Sequence, residues 1–211
     1  MINDICNFTK NKLNYDHILN YNELMKLDLS YFNYNNYIED RQSFRNFKSS
    51  SHVPFDKIKV LIRNLQDIKN KIFFYPNNVK IGFIDNKNII SKNNFSHIYL
   101  FENNQFKNIE VSRKIDKENL FIQSEMHDAD GVLFFLWDIN KFNNILENPN
   151  FIYKEILMAS GLLGQLSSII AINNNLKGTP FAGIIQPEWK SLTNYYKDYR
   201  PIFAYAFTSN F

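Results

Sequence analysis

Three short stretches of this chain hold residue types in a spacing that suits chemistry. The first is Arg41-Gln42-Ser43-Phe44-Arg45, two guanidiniums flanking a hydroxyl and an amide. Planar, permanently charged donors beside a hydroxyl suit the oxygens of a phosphate group. An exposed basic turn ahead of a helix uses the same residues. The second is Leu157 to Gln165, where Ala159, Ser160, Gly161 and Gly164 permit close helix approach and Gln165 stands on an otherwise apolar helix. A buried amide needs partners, whether backbone, water or a ligand. The third, Leu176 to Gly183, is expected to be a Gly/Pro loop in which Gly178, Thr179 and Pro180 present backbone to a ligand or simply connect a helix to a strand.

Other reactive residues are dispersed. His52, His97 and His127 lack metal-binding spacing, so no metal site is expected. Asp128 and Asp130 read as a solvated turn beside His127. Cys6 has no neighbour that would lower its pKa, and a single cysteine excludes a disulfide framework within the chain. Tyr195 to Arg200 is aromatic and basic, suited to a phosphate, a peptide or plain solvent. There is no P-loop and no nucleophile elbow.

The elements that must position these residues follow from apolar periodicity. In a chain of 211 residues, 45% are hydrophobic and 16% aromatic, enough for one substantial core. A net charge of +3 without a Lys/Arg block argues against nucleic-acid binding. No N-terminal secretory pattern is present, and the run Gly131 to Trp137 is too short to span a bilayer, so a cytoplasmic location is expected. Residues 1–40, with a weak helix near Tyr21 to Leu29, form an arm; residues 41–211 form the domain. Ile58, Leu61, Ile62, Leu65 and Ile68 recur at helical spacing after Pro54. Val79–Ile84, His97–Phe101 and Phe106–Val111 read as strands, the last two joined as a hairpin, with a short helix at Asp116–Phe121. Gly131 to Trp137 reads as a strand buried on both faces. Ile152 to Ile172 is a long helix apolar nearly all round, which one small domain cannot cover, so a homodimer is expected. Asn173 to Gly178 ends that helix, and Pro201 to Phe207 is a final strand.

In this order the pieces resemble the nitroreductase superfamily, and within it the SagB-type dehydrogenases of peptide azoline rings. Asn7-Phe8-Thr9-Lys10 resembles an H-x-x-T/S-K element, and Arg41 to Arg45 the R-x-S-x-R phosphate segment. Phe74 to Asn78 stands at the Y-P-S-x-G turn, Ser96 to Tyr99 at the G-x-Y strand, Tyr153-Lys154 through Gln165 at the Y-R-x₆-G-x₃-Q helix, and Leu176 to Gly183 at the G-L-G-x-x-P-x-G-G loop. The likeness implies an α+β fold, its central mixed or antiparallel sheet flanked by helices, with FMN between two subunits. It also implies that Arg41, Gln42, Ser43 and Arg45 hold the phosphate and ribityl chain. Asn77, Asn78, Gln165, Gly178, Thr179, Pro180 and Arg200 would complete the cofactor site. A modified peptide substrate and cyclodehydratase-type partners follow from the same likeness. The family's Lys-Tyr pair has no counterpart in Glu147 to Asn150, which leaves Tyr153, Lys154 or a group from the partner subunit as the base. A fold that has lost flavin chemistry and serves as a scaffold subunit is the alternative.

Overall fold

The structure, a computed structural model, describes residues 17–28, 43–47, 52–91, 97–143, 149–193 and 199–209. Arg41, Gln42, Cys6, Asn7 to Lys10 and most of the expected arm lie outside the described residues. The helices are α1 (Tyr21–Met25), α2 (Phe55–Ile72), α3 (Lys117–Leu120), α4 (Ile139–Asn143), α5 (Pro149–Asn173) and α6 (Gln186–Leu192). The strands are β1 (Val79–Asp85), β2 (His97–Glu102), β3 (Gln105–Ile109), β4 (Gly131–Asp138), β5 (Leu176–Phe181) and β6 (Tyr199–Ser209). They form one 6-stranded sheet in the order β3-β2-β1-β4-β6-β5, and each neighbouring pair is antiparallel.

The centre of the sheet is β4, buried at every position. Successive side chains point to opposite faces, and here both faces are covered. Leu133, Phe135 and Trp137 join the core made with α2 and α5. Val132, Phe134 and Leu136 join a second core with Phe121, Trp189 and Leu192. That explains a continuous apolar run in place of alternation. Packing there is close enough to require glycine: a Cβ on Gly82, which pairs with Phe134, would lie 2.1 Å from that ring.

The first core rests on α2. Pro54 precedes it, and Ile58, Leu61, Ile62, Leu65, Ile68 and Ile72 bury one stripe, as the periodicity predicts. Residues 17–20 dock on its C-terminal end, where the N–H of Asn20 donates to the Ile72 carbonyl and that of Phe74 to the Ile18 carbonyl. The buried carboxylate of Glu155 on α5 holds the same segment, accepting from the Ile18 N–H at 3.3 Å and the Tyr21 hydroxyl at 3.1 Å. Burial first and the Glu155 charge second push the Tyr21 hydroxyl pKa up to about 12.

Several expectations change, and one helix is added. Asp130 is 1% exposed and accepts the Val53 N–H at 2.9 Å, so it is a buried anchor instead of part of a solvated turn. Leu176 to Phe181 is edge strand β5, not a loop. Asn175, with φ 55°, takes the left-handed position that ends α5, so Gly178 is not needed there. Helix α6, seven residues with Trp189 and Leu192 buried, is too short to show a period in the sequence. And α5, not the run at β4, is the apolar element long enough to cross a bilayer, although 67% of its apolar window is buried within this fold.

The hairpin of β2 and β3 turns at Asn103 and Asn104, with φ 50° and 61°. Positive φ at both central residues is the turn that matches strand twist, and asparagine tolerates it. The bulge opposite Phe135 and Leu136 falls beside Pro201, where the missing N–H costs nothing. The close contact at the sheet centre is testable. Gly82→Ala is expected to lose about 1–3 kcal/mol of stability to overpacking, measured by urea denaturation. Adding Phe134→Leu should restore part of it.

Candidate functional site

The sequence-predicted residues fall at two ends of the sheet. At one end, the segment 43–47 lies along the outer edge of β5. The Phe44 N–H donates to the Gly178 carbonyl at 3.3 Å, and Phe47 is buried beneath. Ser43 and Arg45 are exposed. The guanidinium of Arg45 is 64% exposed and 3.7 Å from the Glu125 carboxylate. Lys177 places its ammonium 5.5 Å from the centre of the Phe44 ring. A hydroxyl, a guanidinium and an ammonium thus share one open rim, a donor set that fits a phosphate monoester.

What β5 can offer is set by its pairing. The Gly178 carbonyl accepts from Phe44, so the polar groups of Gly178 face away from β6. By alternation those of Thr179 face β6, and those of Pro180 face outward again, where proline has no N–H to give. Of the three residues, only Gly178 can direct an amide to a ligand. Its lack of a side chain serves the sheet: a Cβ there would lie 2.3 Å from the Ala206 carbonyl oxygen and 2.7 Å from the Tyr205 hydroxyl.

At the opposite end, Asn77, Asn78 and Arg200 gather where β1 and β6 begin. Val79 pairs with Trp137, which pairs with Arg200, while Gly178 pairs with Phe207. The seven residues from Arg200 to Phe207 place the two groups about 20 Å apart along the strands. One subunit does not bring them onto a single small ligand.

A cavity of about 350 Å³ opens beside Asn77, lined also by Gln66, Lys69, Lys80, Glu102, Lys141 and Tyr199. Lys69 is 3% exposed. Its ammonium donates to the Pro76 carbonyl at 2.7 Å and the Val79 carbonyl at 3.0 Å. Burial first, then the nearby charge of Lys80, lower its pKa from 10.5 to about 8. Folding therefore favours the neutral amine. The stability this group contributes is present above its unfolded value and is lost as pH falls through about 8. Lys69 escaped the sequence reading, yet it stands four residues after Leu65 and three before Ile72, inside the apolar stripe of α2. A charge in that register is a readable signal.

The remaining candidates lie on α5. Gln165, expected to be buried, is exposed. Tyr153 and Lys154 are exposed too, and with Leu157 and Met158, one turn further on, they form an outward face. Tyr153 and Met158 are 57% and 53% exposed, and Gly161 faces open space.

No protein-family model matches the sequence, and no curated protein is similar to it. Solved structures are similar. A protein of Anabaena variabilis assigned as a nitroreductase superposes with a TM-score of 0.63 at 18% identity, over 82% of this chain and 37% of its own. The Escherichia coli microcin synthetase McbBCD complex with truncated pro-MccB17 bound gives a TM-score of 0.58 at 11% identity, over 94% of this chain and 76% of that chain. A Staphylococcus epidermidis protein assigned as an NAD(P)H:FMN oxidoreductase gives 0.55 at 10% identity, over 83% and 86%. The fold is nitroreductase-like, α+β with an antiparallel sheet between helices. This chain spans little more than a third of the Anabaena protein.

The docking of segment 43–47 generates a prediction. Gly178→Ala would push its Cβ into the Ala206 carbonyl and Tyr205, shifting β5 against β6. We expect a loss of more than about 2 kcal/mol, with faster amide exchange at Phe44 by NMR.

Proposed function

We propose that two copies of this chain hold FMN and oxidise a group in a ribosomally made peptide, azoline rings being the substrate its motifs suggest. The observation that carries this reading is the docking of segment 43–47 on Gly178, which brings together two segments that resemble flavin-binding motifs. Ser43 and Arg45, with Arg41 and Gln42 beside them in sequence, would hold the phosphate and ribityl chain. FMN, when bound, supplies the hydride acceptor. The chain's own part is to fix the phosphate, present the Gly178 edge, and place Tyr153 or Lys154 as the proton-accepting group.

Two features support a second copy. Asn77, Asn78 and Arg200 stand too far from Gly178 to share its ligand within one subunit. The exposed Tyr153, Leu157 and Met158 offer an apolar face on the long helix, which is stabilised when covered. Gln165 lies on the exposed side of the same helix. The likeness to a peptide synthetase complex over 94% of the chain supports a peptide substrate and partner subunits, for which the motifs suggest a cyclodehydratase type.

The scaffold reading draws on the pairing of β5, which leaves Gly178 as the only outward amide among Gly178, Thr179 and Pro180. Visible absorption distinguishes the two. Flavin bands in the purified protein, or after incubation with FMN, support the oxidoreductase. A protein that takes up no FMN as the full chain overturns it and leaves the scaffold. In the oxidoreductase, Arg45→Ala removes a charged hydrogen-bond donor worth about 1.5–3 kcal/mol, so FMN affinity should fall by about tenfold to a hundredfold in a fluorescence titration. Met158→Glu places a charge on the apolar face and should shift sedimentation from dimer to monomer. A wild-type chain that is monomeric at micromolar concentration overturns the two-copy arrangement.

A further inference from the structure

The cavity at the beginning of β1 and β6 carries a lysine cluster that the flavin reading, which takes only Asn77 from its lining, does not use. Its lining carries three ammonium groups, Lys69, Lys80 and Lys141, against one carboxylate, Glu102, with the amides of Gln66, Asn77 and Asn103 and the ring of Tyr199 between them. Two of the ammonium groups are already engaged. Lys80 bonds Glu102 at 2.6 Å and Lys141 approaches Asp138 at 3.4 Å. Lys69 is different, since no carboxylate pairs with it among the described residues. It is held by two carbonyls that themselves belong to the cavity wall, those of Pro76 and Val79. An ammonium has three donors, so one remains. Burying a charge without a counter-charge is costly, and an apolar side chain at this position in the stripe of α2 would avoid that cost.

We infer that this cavity is a binding site for a small oxyanion, a phosphate or sulfate group, with Lys69 at its floor and Lys80 and Lys141 at its rim. The anion supplies the counter-charge that the fold withholds from Lys69 and accepts its remaining proton. A volume of about 350 Å³ leaves room for a small organic group attached to the anion. Within one subunit the site lies about 20 Å along the strands from the Arg45 rim, and it stands whether or not the chain binds FMN.

Binding and protonation are coupled. The oxyanion favours the charged form of Lys69, whose pKa is about 8 without it. The titratable groups that line the cavity with Lys69 are Lys80 on β1, Glu102 on β2, Lys141 on α4, itself beside Asp138, and Tyr199 on β6. Burial brings the Lys69 pKa down to about 8, inside the pH range of the test. Sulfate is the suitable probe, because its own charge does not change there.

The experiment is a calorimetric titration of the full chain with sodium sulfate at constant ionic strength, with inorganic phosphate and FMN in separate arms. We expect sulfate binding whose affinity falls about tenfold from about pH 7 to about pH 9, following the loss of the Lys69 proton. Lys69→Met should abolish it, with FMN uptake left as in the wild type. Lys141→Ala, an exposed change that leaves the core intact, should weaken it severalfold and keeps the test decisive if Lys69→Met does not fold. Arg45→Ala should leave it unchanged. An absence of sulfate binding at millimolar concentration, an affinity flat across this pH range, or loss of binding in Arg45→Ala but not Lys141→Ala each overturns the site. Competition between FMN and sulfate would assign the cavity to the flavin and overturn its independence.

Discussion

The fold depends on a strand that is buried twice. Every residue of β4 is enclosed, one set of side chains by α2 and α5 and the other by α3, α6 and Phe47. Neither core stands without the other, because removing either would expose half of the same strand to water. At about 25 cal/mol per Å² of apolar surface, that exposure exceeds the few kcal/mol by which a domain is stable. The surrounding elements are arranged to satisfy this strand. The antiparallel neighbours β1 and β6 saturate its backbone, and glycines at 82 and 131 let the rings of Phe134 and Phe83 lie flat on the sheet.

Legibility in the sequence tracked how far each signal is local. The stripe of α2 and the unbroken apolar run of β4 are patterns in neighbouring residues, and both elements form where the pattern places them. Helix α6 is fixed by Trp189 filling the space against Phe134, a contact between distant segments that no local period records. The strand β5 reads as a loop because Gly178 and Pro180 are turn residues by type. They are tolerated because β5 is an edge strand, where a proline can face outward and a glycine can admit a neighbouring ring. The burial of Asp130 likewise depends on Val53, 77 positions away.

The candidate site was legible as parts and not as an arrangement. The segment that carries Ser43 and Arg45 docks on Gly178 through Phe44, while Asn77, Asn78 and Arg200 lie at the far end of the sheet. The length of a strand separates them, which is a property of register and not of composition. Gln165 was placed in the core by the apolar character of its helix, but α5 is apolar on the exposed side as well, so hydrophobicity alone does not say which way it faces. The same ambiguity concealed Lys69, whose aliphatic stem lies in an apolar stripe while its charged end reaches two carbonyls.

Among the described residues, the positions with a left-handed backbone are Asn88, Asn103, Asn104 and Asn175, and no glycine adopts one. Five of the six glycines instead stand where a side chain would collide with a ring, a backbone oxygen or an amide. The usual division of labour is therefore inverted, with asparagine making turns and glycine making room. Mutational tolerance should be inverted with it. Substitution at the asparagine turns, even to glycine, should be nearly neutral, whereas any side chain at those five glycines meets an occupied space. A chain with only six glycines thus keeps five of them at tight contacts, with Gly161 on the open face of α5 as the exception.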